Sequence, residues 1–246
     1  MKKIVFANQK GGVGKTAGSV HLSFFLEDAG YRVLHADLDA QGNSSKTLAE
    51  RRSGFRAVDL FSDVAMNLPA NDGITLFEAS AELLDLDQQS AERMFLLRQQ
   101  LAKLNDQFDY CVIDTPPALG FRMTAALIAA DFVVSPIELD GYSIDGITKM
   151  ITTVFGIKQK VNPTLEFIGM LANRFNPHST EQKKAFDLLI SKYPQFLIPA
   201  KIGNRTSITE ALNSGMPVWR VKKSSAADAA KEMRHALGLI MEKVDS

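Results

Sequence analysis

Apolar runs and helical periods alternate along almost the whole chain. Lys3–Asn8 reads as a buried strand, followed by a glycine-rich turn and a helix, Thr16–Ala29, closed by Gly30. Arg32–Asp37 and Ile74–Glu78 read as further strands. Met94, Leu97, Leu101 and Leu104 recur at helical spacing and lead into an apolar strand, Tyr110–Asp114. A short helix at Arg122–Ala130 precedes a strand at Phe132–Ile137, and a longer helix covers 144–161. The chain continues with a strand near Phe167–Ala172, a helix near Glu181–Lys192, a strand near Phe196–Pro199 and two closing helices. Strands that alternate with helices need crossover connections. The pattern therefore predicts an α/β fold: a doubly wound, mostly parallel sheet with helices on both faces. In such folds ligands lie at the carboxyl ends of the strands.

Composition narrows the function classes. With 246 residues, 46% of them hydrophobic, the chain has material for one sizeable core, and 1–246 is expected to be a single domain. The single cysteine, Cys111, lies inside an apolar strand, so an intrachain disulfide is excluded and a reducing cytosol suits the chain. One thiol also argues against an iron–sulfur cluster. The apolar run Ile4–Ala7 is too short for a secretory signal, and Thr124–Ile137 is interrupted by Asp131 and Pro136, so no bilayer span and a cytoplasmic location are expected. The zero net charge hides an asymmetry. Residues 1–148 carry 13 Lys and Arg against 20 Asp and Glu, whereas 149–246 carry 15 against 8. That split fits a face suited to an anionic partner, and it fits equally a chance distribution over a solvated surface.

The chemistry concentrates at strand ends. Gln9-Lys10-Gly11-Gly12-Val13-Gly14-Lys15-Thr16 follows a strand and opens a helix, as a phosphate loop requires. Glycines let backbone N–H groups turn inward around phosphate oxygens, and the helix N-terminus adds a favourable dipole. Lys15 is placed to reach the β- and γ-phosphates and the Thr16 hydroxyl to ligate Mg²⁺. Gln9 stands where the standard loop has its first glycine, and Lys10 is an extra lysine. Asp37 and Asp39 close the second strand, and Asp114 closes the apolar strand before Thr115-Pro116-Pro117. A carboxylate in that last position suits Mg²⁺, held through water. Each motif alone is also an ordinary loop start. Three in order on three strand ends are specific.

Lys10–Thr16, preceded by Asn8-Gln9, resembles the deviant Walker A box of the ParA/MinD superfamily, whose ParA branch partitions plasmids and chromosomes. Asp37-Leu38-Asp39-Ala40-Gln41-Gly42-Asn43 resembles its switch I segment, with Ala40 where proline is usual. Asp114-Thr115-Pro116-Pro117 resembles its Walker B strand end. Ile198-Pro199, Glu210-Ala211 and Gly215-Met216-Pro217 are similar to its C-terminal pattern. The resemblance covers nearly the whole chain, most loosely at Arg51–Asp72 and Phe175–Pro194.

The resemblance implies a weak ATPase using ATP and Mg²⁺. Gly11, Gly12, Val13, Gly14, Lys15, Thr16 and Ala17 would cradle the nucleotide, with Asn173, Arg174 and backbone near Pro199 beside the adenine. Thr16, Asp37 and Asp114 would serve the metal. Asp39 would position or polarise the attacking water, and Lys10 would cross a sandwich homodimer to the partner's phosphates. Nitrogenase-reductase-like relatives need two cluster cysteines, which Cys111 alone does not supply. MinD-like relatives bind membrane through a basic C-terminal helix. Here Ala230, Met233, Leu237, Ile240, Met241 and Val244 form a stripe, but Asp228, Glu232, Glu242 and Asp245 dilute the basic residues, so packing on the sheet is expected instead. The first strand starts almost at Met1, so no N-terminal helix-turn-helix is expected. Non-specific DNA binding needs only basic side chains aimed at phosphates. Lys201, Arg205, Arg220, Lys222 and Lys223 are candidates, with Lys158 and Lys160 as a second group, and for each a solvated surface charge is the plainer reading. The partners implied are a second copy, DNA of the nucleoid and a ParB-like centromere-binding protein that stimulates hydrolysis. A MinD-like or other cargo-positioning ATPase, acting at a membrane or protein assembly, remains the alternative.

Overall fold

The computed structural model describes residues 1–66, 68, 72–139 and 143–246, excepting the side chains of 143–145. The chain runs β1 (Lys2–Phe6), α1 (Lys15–Asp28), β2 (Val33–Asp37), α2 (Asn43–Thr47), β3 (Arg52–Arg56), β4 (Ile74–Glu78), α3 (Met94–Lys103) and β5 (Tyr110–Asp114). It continues with α4 (Phe121–Ala129), β6 (Phe132–Glu138), α5 (Ser143–Lys160), β7 (Glu166–Phe175), α6 (Thr180–Lys192), β8 (Leu197–Gly203), α7 (Thr206–Asn213) and α8 (Ala227–Asp245). Among the described residues the strands form one eight-stranded sheet in the order β3-β4-β2-β5-β1-β6-β7-β8. Every described pairing is parallel, which sharpens the expectation of a mostly parallel sheet.

The central strands are apolar because both faces are covered. Val20, Leu22, Phe24, Leu26, Met233, Leu237 and Ile240 fill one face, with α1 and α8 supplying the helices. Leu97, Leu101, Met123, Leu127, Met150 and Val154 fill the other, from α3, α4 and α5. The stripe on α8 is thereby spent on the core: Met233, Leu237, Ile240, Met241 and Val244 are buried. Among the described residues no helix is long and apolar enough to cross a membrane. α1 lies very close to β1, since a β-carbon at Gly18 would come within 2.5 Å of the Phe6 ring.

β5 runs between β1 and β2, and this decides where the site forms. Asp114 is level with Phe6 on one side and with Asp37 on the other. Three motifs far apart in sequence thus end side by side along one edge of the sheet.

The far end of α1 is fastened to the C-terminal segment. The Trp219 ring packs edge-on against His21 and Phe25, with centroids 5.7 and 6.4 Å away. Its Nε1 donates to Asp28 at 2.7 Å, and the Arg234 guanidinium lies over the ring. His21 is buried and held neutral, its pKa lowered to about 4 by loss of solvent. Its Nε2 accepts a hydrogen bond from the Val218 N–H at 3.1 Å.

The structure departs from the sequence pattern at several strands. β3 was not expected at all, β1 ends at Phe6 rather than Asn8, and β8 runs on to Gly203 past the expected end at Pro199.

Candidate nucleotide site

The loop between β1 and α1 wraps back over the strand ends. Gly12 and Gly14 take left-handed backbone angles, with φ of 77° and 98°. At Gly14 a side chain is excluded twice over. The backbone angle is strained for any other residue, and a β-carbon would lie 2.0 Å from Asn173 Nδ2. That same Nδ2 donates to the Val13 carbonyl at 2.8 Å, so β7 clamps the loop from beneath. Asn8 braces its start, donating to the Pro136 carbonyl at 2.8 Å and accepting from the Lys10 N–H at 2.9 Å.

Inside this frame sit charges whose solvation by protein is incomplete. Lys15 is 6% exposed, and its ammonium donates to the Lys10 carbonyl at 3.1 Å. Burial lowers its pKa, opposed by the nearby Asp114 and Asp39. Asp114 is fully buried, and neither carboxylate oxygen accepts a hydrogen bond. Burial, then the neighbouring charge of Asp37, pushes its pKa well up, against the Thr16 hydroxyl and Lys15. Asp37 is buried too, but its oxygens are occupied. Oδ2 accepts from the Ser45 N–H at 2.8 Å and hydroxyl at 2.6 Å, and Oδ1 from the Asp39 N–H at 3.2 Å. Asp39 opens toward the cleft and anchors the Gln41 N–H at 3.1 Å.

An orphaned, fully buried carboxylate beside a hydroxyl and an ammonium is costly in an empty site, and a divalent cation removes that cost. Among the described residues no cluster of three or more His, Cys, Asp or Glu side chains would hold a metal unaided. The donor set therefore fits Mg²⁺, which takes one or two protein oxygens and completes its shell with phosphate and water. Asp114 and Thr16 fit direct or water-bridged contact, whereas Asp37 fits a supporting role.

The cleft has a volume of about 590 Å³ and is lined by Gly11, Gly12, Gly14, Lys15, Thr16, Ala17, Asp39, Gln41, Asn43, Lys46, Thr47, Pro117, Thr209, Leu212 and Asn213. Most of the residues expected at the phosphates are brought together here. The adenine expectation fares differently. Pro199 lies mid-way along the edge strand β8 and lines a separate apolar depression with Phe186, Ile190 and Leu197. Asn173 is engaged under the loop, and Arg174 is exposed at φ 52°. The outer wall of the cleft is instead α7, through Thr209, Leu212 and Asn213. Lys10 is half exposed at the loop's rim, its ammonium 3.9 Å from Glu138.

Sequence reasoning passed over several residues. Ser45 holds Asp37, and Lys46 faces the cleft from α2. Thr209 and Asn213 close it, and Arg122 reaches the backbone at Leu38. Only the small polar run Asn43–Thr47 after Gly42 signalled any of them. The DNA candidates are exposed or half-exposed, but most are engaged internally. Arg205 pairs with Glu232 at 2.7 Å and Asp228 at 3.5 Å, Arg220 with Asp28 and Lys223 with Glu210. The Lys201 ammonium lies 3.8 Å from the Phe186 ring centroid. Lys222 is exposed, and Lys158 and Lys160 end α5.

A glycine-rich strand-to-helix loop with buried Lys15 and half-buried Thr16 at the helix start, beside buried Asp114 at a parallel strand end, defines a P-loop nucleotide-binding protein. Comparison with known proteins specifies it further. The family described as AAA domain matches residues 1–167. Protein IncC of Escherichia coli is 43% identical over 260 residues, a match spanning all of this chain and 70% of IncC. Cell division protein PomZ of Myxococcus xanthus is 31% identical, over 91% of this chain and 73% of PomZ. The solved structure of apo McdA from Cyanothece superposes with a TM-score of 0.83 at 25% identity, over 97% of this chain and all of that one. A plasmid partition protein from Borrelia burgdorferi bound to AMPPNP shares the fold, with a TM-score of 0.81 at 22% identity over 98% of this chain and 99% of that one. The chain belongs to the ParA/MinD superfamily of P-loop ATPases, in its partition branch.

Proposed function

We propose that this chain binds ATP·Mg²⁺ in the cleft, closes as a sandwich dimer and holds DNA without sequence choice until hydrolysis releases it. The observation that carries the reading is the orphaned carboxyl group of Asp114 beside the buried Lys15 ammonium and the Thr16 hydroxyl: a donor set that gains its missing partners when a metal–phosphate pair binds. Mg²⁺ supplies charge neutralisation at the phosphates when bound. Lys15 binds the β- and γ-phosphate oxygens, backbone N–H groups of Gly11–Thr16 orient them, and Asp39 holds water in line with the γ-phosphate. Lys10, at the exposed rim, crosses to the phosphates of a second copy, so that the closed cleft carries positive charge from both subunits. The adenine lies against α7, beside Thr209 and Asn213.

The basic C-terminal half supplies the DNA surface, with Arg220, Lys222 and Lys223 as its tightest cluster, and a ParB-like partner accelerates hydrolysis. The plasmid partition protein of Borrelia burgdorferi supports partition as the task, and the cell division protein PomZ supports a division-linked task for the same switch. A membrane-bound version is disfavoured, because the apolar face of α8 is consumed by the core. Light scattering with ATP and Mg²⁺ tests the reading. The native chain should double in mass, and Lys10→Ala should bind ATP yet stay a monomer. A Lys10→Ala protein that still dimerises with ATP sinks the sandwich mechanism.

A further inference from the structure

α4 leaves the Asp114 loop and is apolar along its length, with Phe121, Met123 and Ala125–Ala129 buried. Arg122 is the one charge on it and is only 8% exposed. Burying a guanidinium is costly unless every donor finds a partner, and an apolar residue of similar volume often stabilises as well or better. Packing therefore gives no reason for an arginine here. Its contacts do. Nη2 and Nε donate to the two oxygens of Asp87, at 3.0 and 3.4 Å, which fixes the plane of the guanidinium. Nη1 then donates to the Leu38 carbonyl at 3.2 Å.

Leu38 stands between Asp37 and Asp39. Its N–H is held by the Asp114 carbonyl at 3.0 Å. The peptide joining Leu38 to Asp39 is gripped at both ends, its carbonyl by Arg122 and its N–H by Asp37 Oδ1 at 3.2 Å. Fixing that peptide plane fixes the direction in which the Asp39 side chain leaves the backbone. We infer that Arg122 is a positioning residue for the ATP hydrolysis proposed above, aiming the Asp39 carboxylate at the γ-phosphate end of the cleft. The inference rests on that reading. Arg122 touches no nucleotide and acts through Asp39. Its place on α4, directly after the Asp114 loop, makes it a strut between the two loops that flank the γ-phosphate.

Steady-state hydrolysis and binding of a fluorescent ATP analogue test this in the full chain, with Arg122→Leu, Asp87→Asn and Asp39→Ala. Arg122→Leu should lower kcat at least about tenfold while the nucleotide Kd stays within about threefold, because the phosphate loop is untouched. Combined with Asp39→Ala, Arg122→Leu should cause no further loss, since a strut for an absent carboxylate has nothing to aim. Asp87→Asn, at a half-exposed position, leaves the guanidinium less firmly oriented and should give an intermediate loss. It carries the test should Arg122→Leu fail to fold. Native kcat in either folded variant, or a further tenfold loss on top of Asp39→Ala, overturns the role of Arg122. Absence of ATP turnover in the native chain overturns the ATPase reading itself, a separate result.

Discussion

The cleft and the basic C-terminal surface treat charge in opposite ways. In the cleft, Asp114 is buried with both oxygens unsatisfied, and Lys15 is buried against a main-chain carbonyl. On the C-terminal surface, Arg205, Arg220 and Lys223 are half-exposed or exposed, and each already faces a carboxylate. Buried polar groups left short of partners are costly, a cost Asp114 meets in the empty site by its raised pKa and a ligand removes, so small changes there should be severe. Exposed pairs are worth at most about 1 kcal/mol and open easily to a competing phosphate, so changes there should be graded.

The sharpest break would come at Lys15. Lys15→Ala should lower ATP affinity by at least about 100-fold, since roughly 3 kcal/mol of charge-assisted bonding is lost. Calorimetry giving near-native affinity would remove the phosphate-site assignment. Asp39→Ala comes next. It should still bind ATP and dimerise, because Lys15, Thr16 and Asp114 remain, while hydrolysis falls by about 100-fold or more. An Asp39→Ala chain that cannot dimerise by light scattering would mean that Asp39 builds the site rather than serving the reaction.

On the other surface, changing Arg220, Lys222 and Lys223 together to Ala should weaken binding to any DNA sequence. The log–log salt slope should fall by about 0.9 for each lost phosphate contact. An unchanged slope in a protein that still dimerises moves the DNA surface elsewhere.

The smallest effect concerns a buried group inside the sheet, outside both regions. His35, inside β2, has Nδ1 2.8 Å from the Ser23 hydroxyl and an Nε2 without a partner. Burial lowers its pKa to about 3. A folded-state pKa below the ordinary value of about 6.5 gives stability that is present above that value and lost as pH falls toward the folded one. Between pH 7 and pH 5, His35 should therefore account for about 2 kcal/mol of lost stability. In denaturant titrations His35→Leu should lose less than the native chain over that interval, by about that amount. Equal losses in the two proteins would place the titrating group elsewhere.

Much of the site was legible because its chemistry is local. A phosphate loop is a contiguous run, and Asp37 and Asp114 announce themselves by ending apolar strands. What stayed hidden depends on contacts between distant segments. β3, Arg-Ser-Gly-Phe-Arg, lies at the sheet edge with exposed and half-buried residues alternating, so it lacks the apolar run that marks a covered strand. Arg122 stood in the sequence only as the first residue of a short helix, and only the fold brings it to Leu38, 84 residues away. Pro199 shows the opposite failure. The strand expected to end at Pro199 continues to Gly203 and leaves that proline in mid-strand.

The packing of Trp219 has an optical consequence. It is the chain's only tryptophan, so its emission reports one place, the junction of α1 with the segment that follows α7. α1 begins at the phosphate loop and α7 lines the cleft, so the fluorophore sits where the far end of one wall of the nucleotide site meets the segment that leaves the other. Its indole is shielded by His21, Phe25 and Arg234, and any parting of those walls would admit water and shift the emission to the red. The native chain thus carries its own unlabelled gauge of cleft opening, readable in a stopped-flow mixer on the timescale of nucleotide exchange.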